Sequence, residues 1–197
     1  MYASFLVCVF GVTIVVPLYF LSVEHLKLQE KYGKARGTKV GDVFGMISGW
    51  AFFLFWVGIW FSPQPRFTFP VLQSPNVLVP VVNFSISLVS LIVSTPFLML
   101  ASWLGIAGVK QITLRAAETH RTDRVVVSGV YSVVRHPQYL GGLFAHVGMT
   151  FLLSARYSLL FTPVMVLVIY FISRKEEEEL TGQLYTIAGE NQYAKDF

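Results

Sequence analysis

Gly129-Val130-Tyr131-Ser132-Val133-Val134-Arg135-His136-Pro137-Gln138-Tyr139-Leu140-Gly141-Gly142 sets an arginine, a histidine and two tyrosines at the start of an apolar run. Ionisable groups in or beside lipid are costly and mark function by default. Pro137 has no backbone N–H to leave unsatisfied and suits the first turn of a helix, so the stretch predicts a helix with Arg135 and His136 at its N-terminal mouth. Open amides and the helix dipole at such a mouth favour an anionic group, such as a carboxylate. Tyr139, Gly142 and His146 follow at three- and four-residue steps and share one helix face. Gly141 and Gly142 leave room for a ligand or a neighbouring backbone. His146, inside the apolar run, is a candidate substrate contact, with a helix-to-helix hydrogen bond as the plainer account.

The surrounding chain is far too apolar for a soluble domain. Of its 197 residues, 54% are hydrophobic and only 13% charged, and the mean hydropathy is +0.61, whereas about a quarter of an ordinary soluble domain is charged. It reads as one all-α, multi-span membrane domain. The net charge of +4 then reflects basic loops on one side of the bilayer rather than nucleic-acid binding. Cys8 is the single cysteine, so neither a disulfide framework nor a cysteine zinc site is available, and no metal is expected.

Five spans are predicted. Residues 2–22 make the first and lack the basic start and small-residue cleavage site of a signal peptide. A polar loop, 23–42, carries Lys27, Lys31, Lys34, Arg36 and Lys39. Span two is 43–62, where Gly45 and Gly49 allow close helix packing, and Pro63, Pro65, Pro70 and Pro75 break helix in the next loop. The run 76–108 exceeds one crossing and holds Pro96, so it is one long kinked span or two short ones. A polar stretch, 109–136, precedes span four at 137–154, a tight turn at Ser154 to Tyr157, and span five at 158–173. A single crossing by 76–108 places thirteen of the fifteen lysines and arginines on one side, leaving only Arg66 and Arg156 opposite. A double crossing spoils that separation. Five spans therefore fit best, with the N-terminus outside and the site and tail cytosolic. Residues 1–108 supply spans one to three, and 109–197 the cofactor- and substrate-binding part.

The tail opens Arg174-Lys175-Glu176-Glu177-Glu178-Glu179-Leu180. Four adjacent carboxylates repel one another and ask for cations. Arg174 and Glu178 are four apart and share a helix face, and Leu180, Leu184 and Ile187 follow at helical spacing, which predicts an amphipathic cytosolic helix.

Ser128-Gly129-Val130-Tyr131, then Arg135-His136-Pro137-Gln138-Tyr139 and Gly141, followed one hairpin later by Arg174 to Leu180, resemble the isoprenylcysteine carboxyl methyltransferase family. The resemblance covers residues 115–197, with a looser match at Gly189 and Tyr193; the first half is similar only in being a set of apolar spans. It implies an integral membrane enzyme that uses S-adenosylmethionine to methylate the terminal carboxylate of a prenylated cysteine. It also implies that Val125, Val126, Tyr131, His136, Pro137, Gln138, Tyr139 and Glu178 bind the cofactor, and Arg174 the substrate. The partners implied are a lipophilic small molecule or a prenylated protein or peptide, besides membrane lipids.

The residue types suit that chemistry. A carboxylate is already ionised at neutral pH, so methyl transfer needs positioning and water exclusion rather than a base. Arg174 can hold a carboxylate through two parallel hydrogen bonds, and tyrosine faces favour a sulfonium. Two rival enzymes remain. Phospholipid amine methyltransferases share the architecture but must also remove a proton; sterol reductases carry a comparable Arg-His-x-x-Tyr block, use NADPH and have more spans. A non-enzymatic membrane scaffold is the third alternative. The last residues, Ala194 to Phe197, form no Cys-a-a-X box.

Overall fold

Helix α1 (Ala3–Val23) carries no charged side chain along its 21 residues and ends where Glu24 meets the polar stretch. In this computed structural model the described residues are 2–68, 75–79, 84–113, 117–118 and 126–193. After α1 come α2 (His25–Tyr32), α3 (Lys34–Phe61), α4 (Leu88–Ile112), α5 (Pro137–Leu152) and α6 (Arg156–Tyr193). Four of these, α1, α3, α4 and the Arg156–Gln183 part of α6, are long and apolar enough to cross a membrane. Helix α5 has 16 residues and rises about 24 Å, less than the roughly 30 Å hydrocarbon core. The protein is an all-α integral membrane protein, as the sequence implies.

Two segments differ from the sequence expectation. Residues 23–42 are not an open loop: α2 folds back on α3, and Gly33 alone separates them at φ +80°. Gly41 sits so close to the buried His25 ring that a Cβ there would lie 2.5 Å from Nδ1, so packing holds a charged stretch helical. The apolar run 76–108 is also not all span. Asn76–Val79 and Phe84–Ser87 pair as an antiparallel hairpin, with Asn76 opposite Ser87, and the crossing helix starts at Leu88. Pro75 and Pro80 oppose helix on either side of β-branched Val77 and Val79, and Phe84 to Ser87 alternate apolar with polar. Among its described residues the run holds one helix, Leu88–Ile112, long and apolar enough to cross.

Helices α1 and α3 run antiparallel, Cys8 against Gly58 and Gly11 against Phe55. Val12, Val15, Tyr19, Phe52, Trp56 and Ile59 fill the seam, and Met165 and Ile172 of α6 close it. Helices α4 and α5 also run antiparallel. A Cβ on Gly141 would lie 3.1 Å from Gly105 N and 3.2 Å from Ala101 O, so backbone meets backbone there. Leu6, Phe10, Leu54, Ile92, Met99, Trp103 and Leu160 point outward, as a lipid-facing surface should.

The two ends of the bundle differ. At one, the proline-rich segment docks on the α5–α6 turn: Phe67 N–H donates to Ser154 O at 2.9 Å, and Arg156 N–H to Pro65 O at 3.0 Å. The Arg66 guanidinium donates to Leu153 O. At the other, Lys175 of α6 pairs with Glu24 at the α1–α2 corner, and Glu179 accepts from the Leu26 amide at 2.7 Å, capping α2. The α5 mouth lies at this second end.

Candidate active site

Helix α5 opens as the sequence predicts, with His136 at the N-cap and Pro137 in the first turn. Gly108 of α4 faces Pro137 and Gln138, while α4 runs on to Ile112 and α6 to Tyr193. The mouth is therefore recessed between longer helices.

His136 is half-buried, with Nε2 3.1 Å from Glu177 Oε1 and Nδ1 3.6 Å from Glu176 Oε2. Its ring stacks on Tyr139, centroids 5.6 Å apart and planes 24° apart. Burial pulls the imidazole below the ordinary histidine range against the opposing pull of Glu177, so the ring is neutral near pH 7. With Glu177 accepting, Nε2 carries the hydrogen and Nδ1 is bare. A bare nitrogen facing a carboxylate oxygen is suited to a positive charge beside them. Tyr139 donates its hydroxyl to Glu176 Oε1 and lies 2.9 Å from the Tyr19 hydroxyl of α1. Tyr131 sits on a short 3-10 turn, Gly129–Ser132. Burial and then the nearby Glu176 charge push its phenol up. That turn exists because Gly129 adopts φ +59° with the Gln111 side chain where a Cβ would be. Gln111 Oε1 and Gln138 Nε2 are buried without a hydrogen-bond partner, leaving one acceptor and one donor for a ligand to satisfy.

The structure brings together Tyr131, His136, Pro137, Gln138 and Tyr139 from the expected cofactor set. Val126 is half-buried just before them, and Val125 lies outside the described residues. Arg174 and Glu178 pair with each other, as their spacing predicts, at 3.4 Å on an exposed face of α6. Arg174 also lies 3.4 Å from the Tyr170 hydroxyl. The hydrogen bonds and ion pairs of His136 and Tyr139 reach Glu176 and Glu177 instead. His146 sits deep in the bundle: Nδ1 accepts from the indoles of Trp56 and Trp60, each at 2.9 Å, and Nε2 faces Ser158 O and Thr162 Oγ1 at 3.2 Å. Both ring nitrogens are engaged, tying α3, α5 and α6 together. Leu184 and Ile187, on which the apolar face of the tail was expected, have side chains outside the described residues.

Sequence reasoning assigned no role to Glu176, Glu177 or Tyr19. The acidic run was visible, but a helix turns 100° per residue, so which carboxylate faces α5 depends on how α6 is rotated in the bundle. Tyr19 lies 120 residues from its partner and has no local signal.

The fold and the cluster define a multi-span helical membrane protein with a histidine, carboxylate and phenol site sunk into one end of its bundle. The chain belongs to the phospholipid methyltransferase family, whose sequence model matches residues 89–188, and it is a membrane methyltransferase. No curated protein and no solved structure gives a match. The family implies S-adenosylmethionine as methyl donor. The residues fit that group: carboxylates and aromatic rings suit its ammonium and sulfonium, and the unpaired carboxamide atoms of Gln111 and Gln138 suit its polar edges.

Proposed function

We propose that the protein methylates the carboxylate of a lipophilic substrate, a C-terminal S-isoprenylcysteine above all. Tyr131, His136, Pro137, Gln138 and Tyr139 hold the methyl donor in this reading, with Val125, Val126 and Glu178 at its edges and Glu176 and Glu177 added to the set. The observation that carries the acceptor assignment is the state of Arg174. Its guanidinium is exposed, and both partners stand at 3.4 Å, the weak limit of a hydrogen bond. Exchanging such a surface pair for a bidentate carboxylate costs little.

When bound, S-adenosylmethionine supplies a methyl group on a positively charged sulfur. Arg174 would orient one acceptor oxygen toward that methyl carbon, and the group would supply an electrophilic methyl whose bond to sulfur leaves its electron pair on a neutral thioether. No proton moves, so the residues contribute orientation and exclusion of water. His146 serves as a substrate contact only by giving up a present partner.

A second reading, methylation of a lipid amine, is favoured by the carboxylates around His136 and by the family to which the chain belongs. A protonated amine would pair with Glu176 or Glu177, and one of these or His136 would take its proton.

Purified protein incubated with labelled S-adenosylmethionine and either a farnesylcysteine or phosphatidylethanolamine separates the two. The expected product is a base-labile methyl ester, abolished in Arg174→Ala while S-adenosylhomocysteine binding persists. Label only in the amine headgroup, untouched by Arg174→Ala, overturns the carboxylate reading. The basic end of the bundle is assigned to the cytosol.

A further inference from the structure

Helix α1 lies outside the family-matched residues 89–188, yet it delivers one polar side chain to the site. Tyr19 is 6% exposed, beside the apolar side chains of Val12, Val15 and Phe52. Phenylalanine would fill the same volume, so a hydroxyl needs its own account; a buried O–H is costly unless hydrogen-bonded.

Its direction follows from its neighbours. The Tyr139 hydroxyl donates to Glu176 Oε1, so its hydrogen is committed there. The Tyr19 hydroxyl at 2.9 Å then donates to Tyr139 oxygen. A one-way chain results, Tyr19 to Tyr139 to Glu176, in which each bond polarises the next. Glu176 Oε1 is fixed by the chain and Oε2 is left facing His136 Nδ1. The three links stand on α1, α5 and α6.

We propose that Tyr19 is a positioning residue for the methyl donor: its hydroxyl, given to Tyr139, holds Glu176 so that its second carboxyl oxygen faces the cofactor's ammonium group beside His136. The first helix thus completes a site whose other residues lie in the second half of the chain. This rests on the α5 mouth being the cofactor site.

Calorimetry with S-adenosylhomocysteine on the full-length protein in detergent tests it, alongside the melting temperature and the KM and kcat for S-adenosylmethionine. Tyr19→Phe is expected to weaken affinity about fivefold and to raise KM more than it lowers kcat. Val15→Ala, a neighbouring seam change with no hydroxyl involved, is expected to lower the melting temperature and leave affinity unchanged. Because Tyr19 acts through Tyr139, the Tyr19→Phe, Tyr139→Phe double variant should bind no more weakly than Tyr139→Phe alone. Unchanged affinity in Tyr19→Phe, additive losses in the double variant, or an equal affinity loss in Val15→Ala each overturns the inference. Wild-type protein that binds no S-adenosylhomocysteine overturns the cofactor reading itself, and the inference falls with it.

Discussion

At His136, burial and charge pull in opposite directions. Burial disfavours the imidazolium, while Glu177 favours it, and burial wins. A histidine whose folded pKa is depressed contributes stability above its ordinary pKa, about 6.5, and loses it as pH falls through the lower folded value. Protonation would put a cation among Glu176, Glu177 and Arg135, in the space proposed for the donor's positive charge. Calorimetric affinity for S-adenosylhomocysteine should therefore weaken from pH 7 toward pH 5, and His136→Asn should make that slope shallower; burial pushes the Glu176 carboxyl up as well, and its share of the slope should persist in the variant. A slope unchanged in the variant assigns the effect to the carboxylates instead. His146 lends itself to the opposite kind of prediction. Removing its ring orphans two buried indole N–H groups, at about 1–3 kcal/mol each. His146→Ala should lower the melting temperature sharply and leave S-adenosylhomocysteine affinity intact. A variant of normal stability with a raised substrate KM would favour the substrate role. Both histidines were visible in the sequence, as was the mouth that Pro137 opens; what His146 touches was not, because Trp56 and Trp60 lie 90 and 86 residues away.

Among the elements, sequence patterning located the spans better than it located their ends. Hydropathy counts apolar residues whatever their geometry, so it merged the paired strands 76–79 and 84–87 with α4, although the proline positions and the alternation from Phe84 to Ser87 carried the distinction. Polarity read 23–42 as a loop because the reason for helix there is tertiary, His25 packed against Gly41. The pairing of α4 with α5 sets the depth of the site, and Gly141 sets that pairing. A methyl group there meets backbone atoms of Gly105 and Ala101, which cannot rotate away. Gly141→Ala should cost about 1–3 kcal/mol as the helices part and should weaken S-adenosylhomocysteine binding as the mouth shifts. Gly105→Ala, where nothing lies within 4 Å of the added carbon, is the matched control and should do neither. Equal behaviour of the two variants would mean that α4–α5 contact does not position the mouth.

On the scale of the whole molecule, charge sorting foretold which segments meet. The first polar stretch, the start of α5 and the tail converge at one end, joined by Lys175 to Glu24, Glu179 to Leu26 N–H and His136 to Glu177. Arg66 and Arg156 both lie at the other end, beside the α5–α6 turn. Lysines and arginines of short loops are retained on the cytosolic side of a membrane, so the end bearing Lys27, Lys31 and Lys34 should face the cytosol and the methyl donor should enter there. Cys8 is the single native cysteine, which makes the orientation measurable. In a Cys8→Ala background, Lys31→Cys and Arg156→Cys place one exposed thiol at each end. A membrane-impermeant maleimide added to intact cells should label the second and spare the first, and inverted vesicles should reverse the pattern. Labelling of Lys31→Cys from outside intact cells would put the site on the external face, away from the pool of cytosolic donor.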